Sequence, residues 1–213
     1  MNRSVFQSGV RFFVAFAAAV VAFLPLAARA QAQFAIVDFQ RCANESKLKA
    51  ELDGKFAAKQ KGLTAVFEKL KGASAVFLSP AEVKELAGLY EKAAPGDNEK
   101  KRIETLQQIA DQRAGAVRRL ENTATPTDEQ KKELEKLGQM QQDGAAALQE
   151  IGTDFQKQLE ALEAEYGGQL SAKVKEVVGQ VAKERNIALV FSAQVVVYAA
   201  ADITPDVIKI LQK

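Results

Sequence analysis

Residues 127–186 read TDEQKKELEKLGQMQQDGAAALQEIGTDFQKQLEALEAEYGGQLSAKVKEVVGQVAKERN, and no proline falls between Pro126 and Pro205. The stretch predicts one helix of about 60 residues, about 90 Å long at the α-helical rise. Its apolar stripe runs through Leu134, Leu137, Met140, Leu148, Ile151, Phe155, Leu159, Leu162, Tyr166, Leu170, Val174, Val177 and Val181. A helix this long with one apolar stripe requires a partner helix. Phe155, Tyr166 and Val177 recur every eleven residues, as do Leu159, Leu170 and Val181. Eleven-residue repeats predict a straight or slightly right-handed supercoil over 151–181. Gly138, Gly144, Gly152, Gly167 and Gly168 interrupt the helix interior, each costing about 0.5–1 kcal/mol against Ala. They read as flexible points or as close helix contacts. Gly167-Gly168 is the predicted hinge, because adjacent glycines kink helices.

Upstream, prolines and glycines cut the chain into shorter helices. Asn44 or Ser46 caps a helix to residue 72, with Leu48, Leu52, Phe56, Leu63, Val66, Phe67 and Leu70 at helical spacing. Ser79-Pro80-Ala81-Glu82 is a capping box with proline in the first turn. Val76, Phe77 and Leu78, just before it, read as a hydrophobic staple rather than a binding surface. Pro95-Gly96-Asp97-Asn98 is a turn cluster, a helix spans 99–122, and Thr125-Pro126-Thr127 opens the long one.

Strands flank the helices. Phe34 to Phe39 is a short β-like run, and 188–193 and 195–199 are two more, joined tightly at 192–194. Thr204-Pro205-Asp206 caps a last short helix. The first strand must pair with those that follow the long helix, so the helical region leaves a small head and returns to it. The predicted fold is therefore mainly α: a long antiparallel coiled-coil-like hairpin, 44–186, on a three-stranded head built from 31–43 and 187–213. A tip at 122–126 balances the arm lengths better than one at 95–98. Residues 44–122 carry 15 basic and 12 acidic side chains, and 127–165 carry 4 and 10. The opposite signs favour apposition, though exposed pairs contribute only about 0–1 kcal/mol each. Three short strands and one short helix cannot close a core alone, so a homo-oligomer joined through the head is expected.

The first thirty residues read as an address. Arg3 and Arg11 precede the apolar run FFVAFAAAVVAFLPL, and Ala28-Arg29-Ala30 is a small-x-small cleavage site. The run is short for a membrane anchor, and Ala30-Gln31-Ala32 is a second possible cut. Removing 1–30 changes the formal charge from +2 to about −1. The whole chain of 213 residues has no histidine, no tryptophan and one cysteine. A Ser-His-Asp triad, a Cys-His dyad, a His-ligated zinc and an internal disulfide are all excluded. Cys42 is expected to be buried and inert, and no nucleic-acid surface is evident from the charge.

Ala35-Ile36-Val37-Asp38-x-Gln40 with Asn44-Glu45-Ser46, and Ile187-Ala188-Leu189-Val190 with Val197-Tyr198-Ala199 and Asp202-Ile203-Thr204, resemble the two ends of the Skp/OmpH-like periplasmic chaperones. The resemblance implies a homotrimer whose heads merge into one β body, with Ile36, Val37, Leu189, Phe191, Val195, Val197 and Tyr198 at the shared interface. It further implies helical tentacles that hold unfolded outer-membrane or exported proteins in the periplasm, without ATP, cofactor or metal. The near-neutral mature charge departs from the basic character of many members. Residues 79–122 look like added length, so longer or more jointed tentacles are expected. Arg113, Arg118 and Arg119, near the tip, are a candidate basic patch for lipid headgroups or acidic client segments, or more simply a solvated face. Glu160, Glu163 and Glu165 read as the wet side of the helix. The competing reading is a structural or adaptor protein of the cell envelope; an enzyme is not expected.

Overall fold

A computed structural model describes residues 34–213, and the leader predicted at 1–30 lies outside the described residues. The first strand, β1, is Phe34–Val37, two residues shorter than predicted. Asp38 ends it: its carboxylate accepts the N–H of Arg41 at 2.9 Å and starts α1, Phe39–Asn44. Ser46 then accepts the N–H of Lys49 at 3.0 Å, so the next helix, α2, runs Lys47–Gly72. Ser74, at φ 52°, and a 3₁₀ turn over Ala75–Phe77 follow. The predicted capping box opens α3, Pro80–Glu91: the Ser79 N–H donates to Glu82 Oε2 at 2.8 Å, and the Glu82 N–H to Ser79 Oγ at 3.4 Å. Helix α4 is Asp97–Glu121 and α5 is Asp128–Glu184, 57 residues. The cap of α5 is Thr127 paired with Gln130, not Thr125, so Pro126 stands just before the helix. Asn186, at φ 54°, closes α5, with the Ile187 N–H donating to Ala182 O at 2.8 Å, a left-handed C-terminal cap.

The arm-length reckoning treats the outgoing helices as laid end to end, and the structure corrects this. The turn at Ser74 reverses the chain, and α3 folds back along α2, bringing the Tyr90 ring to 5.4 Å from Lys69 Nζ. The apolar face of α3, with Val83 and Leu86 fully buried, needs that cover. Helix α4 then runs outward again along α3, tied by Arg102 to Glu85 at 2.7 Å and by Gln107 to the Tyr90 hydroxyl at 2.9 Å. Four helices therefore share a cross-section midway along the hairpin. Leu70, Leu78, Leu86 and Leu106 are wholly buried there against Leu148, Ile151 and Phe155. Leu78 and Val83 flank the Ser79 cap in this core, as a staple requires. Beyond the block only α4 and α5 continue, to the connection at 122–127.

Among the described residues, one ion pair, Lys84 to Glu150 at 2.9 Å, joins α5 to the other hairpin helices. Apolar packing, rather than the charge asymmetry, holds the arms. None of the stripe residues read on α5 is fully exposed. Burial is deep at 147–155 and again at 174–181, and only partial between them.

The head has two strands rather than three. β1 pairs in parallel with β2, Leu189–Ser192, in the register Phe34↔Leu189 to Val37↔Ser192. Parallel pairing is the natural outcome when the chain crosses over through helices between strands. The expected strand at 195–199 does not form. Ser192 Oγ accepts the Gln194 N–H at 3.3 Å and starts a 3₁₀ turn over Ala193–Val195. The chain then reaches the other side of β1, where the Ile36 N–H donates to Ala201 O at 2.9 Å and the Ile203 N–H to Ile36 O at 3.0 Å. Helix α6, Thr204–Leu211, packs below. Thr204 does not cap it: its hydroxyl instead accepts the Asp38 N–H at 2.8 Å, tying α6 to the β1–α1 junction.

Candidate functional site

Period-two alternation divides the head into an inner and an outer face. On the inner face Ala35 and Val37 pack against Val174, Val177 and Val181 of α5 and Val207, Ile208 and Leu211 of α6. Cys42 is wholly buried in the same core, and burial pushes its thiol up to about 11. Little thiolate exists at neutral pH, so the group is chemically quiet. Two ion pairs brace the rim: Arg41 with Glu45 at 2.7 Å, and Arg185 with Asp206.

The outer face carries the other set. Phe34, Leu189 and Phe191 are 49, 60 and 43 % exposed, and Phe34 meets Phe191 edge to face at 6.5 Å. Val195 and Tyr198 are 75 and 83 % exposed, and Val197 is fully so. Ile36 lies on this face, half-buried. Among the described residues strand β2 has a single neighbour, and its far edge pairs with no other strand there. Exposed apolar side chains on the outer face of the strand pair, with those of the segment after β2, mark a candidate interaction surface. Six of the seven residues singled out from sequence for a shared interface are at least partly exposed. Val37 is not: at 4 % exposure its side chain is spent on the chain's own core.

The candidate tip patch separates in the same way. Arg113 faces inward, donating to Glu82 Oε2 at 2.7 Å and to Phe77 O at 3.1 Å, so it clamps the middle block and leaves the tip. Arg118 and Arg119 are exposed in the last turn of α4, where cations suit the helix dipole. Glu82 also accepts from the Ser79 N–H and hydroxyl. Burial alone raises its pKa, but the Arg113 and Ser79 hydrogen bonds outweigh that and hold the carboxyl below its ordinary range.

The glycines have unlike roles. Gly144 lies directly against the 3₁₀ turn, and Gly152 lies beside the Phe67 ring. Gly138, Gly167 and Gly168 have open space around them, and α5 continues unbroken through all five. Sequence reasoning left Gly144 open between a flexible point and a close contact, and missed the inward turn of Arg113 and the Thr204 tie. Each depends on a partner more than thirty residues away, and no local pattern signals it.

Among the described residues no group of three or more Cys, Asp or Glu is placed to hold a metal ion. No described helix is long and apolar enough to cross a membrane. A family model described as "Outer membrane protein (OmpH-like)" matches residues 33–211. Neither the curated proteins nor the solved structures gave a match to the chain. The family match spans both head segments and the whole hairpin between them, including the folded-back block, and the chain belongs to the OmpH-like outer membrane protein family.

Proposed function

We propose that this protein is an ATP-independent periplasmic holdase that works as a homotrimer and encloses unfolded outer-membrane or exported proteins between its hairpins. Family membership suggests a periplasmic chaperone and, in general, the binding of unfolded outer-membrane proteins. The observation that carries the trimer reading is the uncovered apolar surface of the head: Phe34, Leu189 and Phe191 on the outer face of the strand pair, and Val195, Val197 and Tyr198 in the segment that follows β2. The hairpin closes its own core in the middle block, whereas the head leaves this face to water. Merging such faces removes strand edges and apolar exposure together.

In this reading residues 1–30 are the export signal. The hairpins are the client-holding arms, and Gly167-Gly168 is where they flex. Arg118 and Arg119 offer at most a weak contact to an anionic membrane surface. Client binding is weak at each contact and strong in sum.

One experiment tests it. The mature chain is examined by sedimentation equilibrium and mixed with a urea-unfolded outer-membrane protein on dilution. A three-chain mass, with light scattering suppressed at about one trimer per client, is expected. A stable monomer sinks the shared head, and a trimer that fails to suppress scattering points to the adaptor role.

A further inference from the structure

Between the two apolar cores the hairpin narrows to α2 and α5, and a cleft of about 220 Å³ opens there. Leu52 and Phe56 wall it on one side, Tyr166 and Leu170 on the other, and Gly167 also lines it. Leu52 is buried, but Phe56, Tyr166 and Leu170 remain only half-buried. A Cβ on Gly167 would meet no atom within 4 Å, so the space beside this glycine is open. Apolar walls without a facing atom forfeit their dispersion contacts, so the cleft gains by accepting a side chain. Its volume suits one large apolar group.

The charges at the mouth select the flanking chemistry. Lys49 Nζ donates to both oxygens of Asp53, at 2.7 and 2.6 Å, and the two cancel. Glu163 also lines the cleft and makes no ion pair among the described residues. Its neighbours Glu160 and Glu165 receive only glutamine amides, at 2.9 Å each. Glu160 and Glu165 do not line the cleft, but with Lys49 and Asp53 paired, Glu163 leaves the lining one net negative charge on the α5 side.

We propose that this cleft is a binding site for one aromatic or large aliphatic side chain of an unfolded segment that carries a lysine or arginine beside it. The proposal rests on the chaperone reading and names the client chemistry this arm selects. A slot for one side chain plus one charge tolerates many sequences, as a holdase requires, and repetition over several arms supplies the avidity.

The test uses the full mature chain with ¹³C-methyl leucine and a soluble probe peptide, Ser-Gly-Lys-Phe-Gly-Ser. Saturable shifts at Leu52 and Leu170 are expected. Replacing the peptide's phenylalanine by serine or its lysine by glutamate should weaken binding about tenfold or more, as loss of one buried apolar side chain implies. Gly167→Met, which fills the cleft in a helix that tolerates methionine, should weaken the probe by a similar factor, and Gly168→Met should not. Unchanged affinity in Gly167→Met, equal loss in both variants, or indifference to the lysine-to-glutamate change would each overturn the proposal. Scattering suppression is measured separately: suppression without leucine shifts defeats the cleft and leaves the chaperone reading standing, and shifts without suppression do the reverse.

Discussion

Gly144 of α5 lies in backbone contact with the carbonyl of Val76: a Cβ at residue 144 would stand 2.7 Å from the Leu78 oxygen and closer still to that of Val76. This approach seats the 3₁₀ turn on α5 and lets Leu78 reach the four-helix core. Gly144→Ala should therefore destabilise the protein by about 1–3 kcal/mol, the usual cost of overpacking. Gly138→Ala, six residues away on the same helix in open space, should stabilise it by about 0.5–1 kcal/mol through lost chain entropy. Urea unfolding followed by circular dichroism reads both, and a shift of the same sign in the two variants would refute the close-contact account.

Glu82 gives the block a pH dependence. Its carboxyl is held low in the folded state by Arg113 and the Ser79 cap, against the opposing effect of burial. A depressed carboxylate pKa contributes stability that is present above the ordinary value and is lost as pH falls through the folded value. Glu82→Gln should cost about 1–3 kcal/mol at pH 7, where charged hydrogen bonds are lost. The gap to wild type should close as the pH drops below about 4. Urea midpoints at pH 7 and pH 3 check this; a gap of equal size at both would remove Glu82 as its source.

Thr204 and Cys42 report on the head. The Thr204 hydroxyl takes the Asp38 N–H, and the Cys42 thiol lies 3.9 Å from the Thr204 carbonyl. Thr204→Val leaves that N–H without a partner and should cost about 1–3 kcal/mol. The thiol, buried and raised to about 11, should resist a maleimide at pH 7.5 in the folded wild type and react in urea. Faster native labelling in Thr204→Val is expected, and fast labelling of wild type would contradict the buried thiol.

The two faces of the head sheet should separate assembly from folding. In the proposed trimer, Phe191→Asp on the outer face, or Val197→Asp in the segment after β2, should lower the mass to one chain while the hairpin keeps its helicity. Val37→Ala, in the inner core, should leave the mass at three chains and cost about 2 kcal/mol through the cavity it makes. Sedimentation and thermal melts distinguish them. Loss of assembly in Val37→Ala with no effect of Phe191→Asp would reverse the assignment of faces.

Much of the architecture is legible in the amino-acid sequence because it is encoded over three or four residues. The Ser79–Glu82 box, the cap at Ser46, the turn at Pro95-Gly96 and the stripe from Leu134 to Val181 all describe hydrogen bonds or contacts within one or two turns. Helix lengths alone do not give the path of the hairpin, because α3 folds back along α2 instead of extending the outgoing arm. The candidate site was legible only as an apolar set: Leu189, Phe191, Val195, Val197 and Tyr198 are recognisable as strand-like. Which face each side chain takes depends on register, and register places Val37 inside and Phe191 outside.

By itself, the sequence determined where α2 and α3 begin, that a helix of about 60 residues with one apolar stripe needs a partner, and that the chain's residue types exclude most catalytic chemistry. Tertiary structure alone decided that α3 turns back along α2, that β1 pairs with β2 and with residue 202 rather than with a third strand, and that Gly144 is a contact while Gly167 leaves a cleft. The physical reason is range. Caps and periodicity are settled by neighbours along the chain, whereas the direction of a turn, the partner of a strand and the space beside a glycine are settled by atoms that only folding brings near.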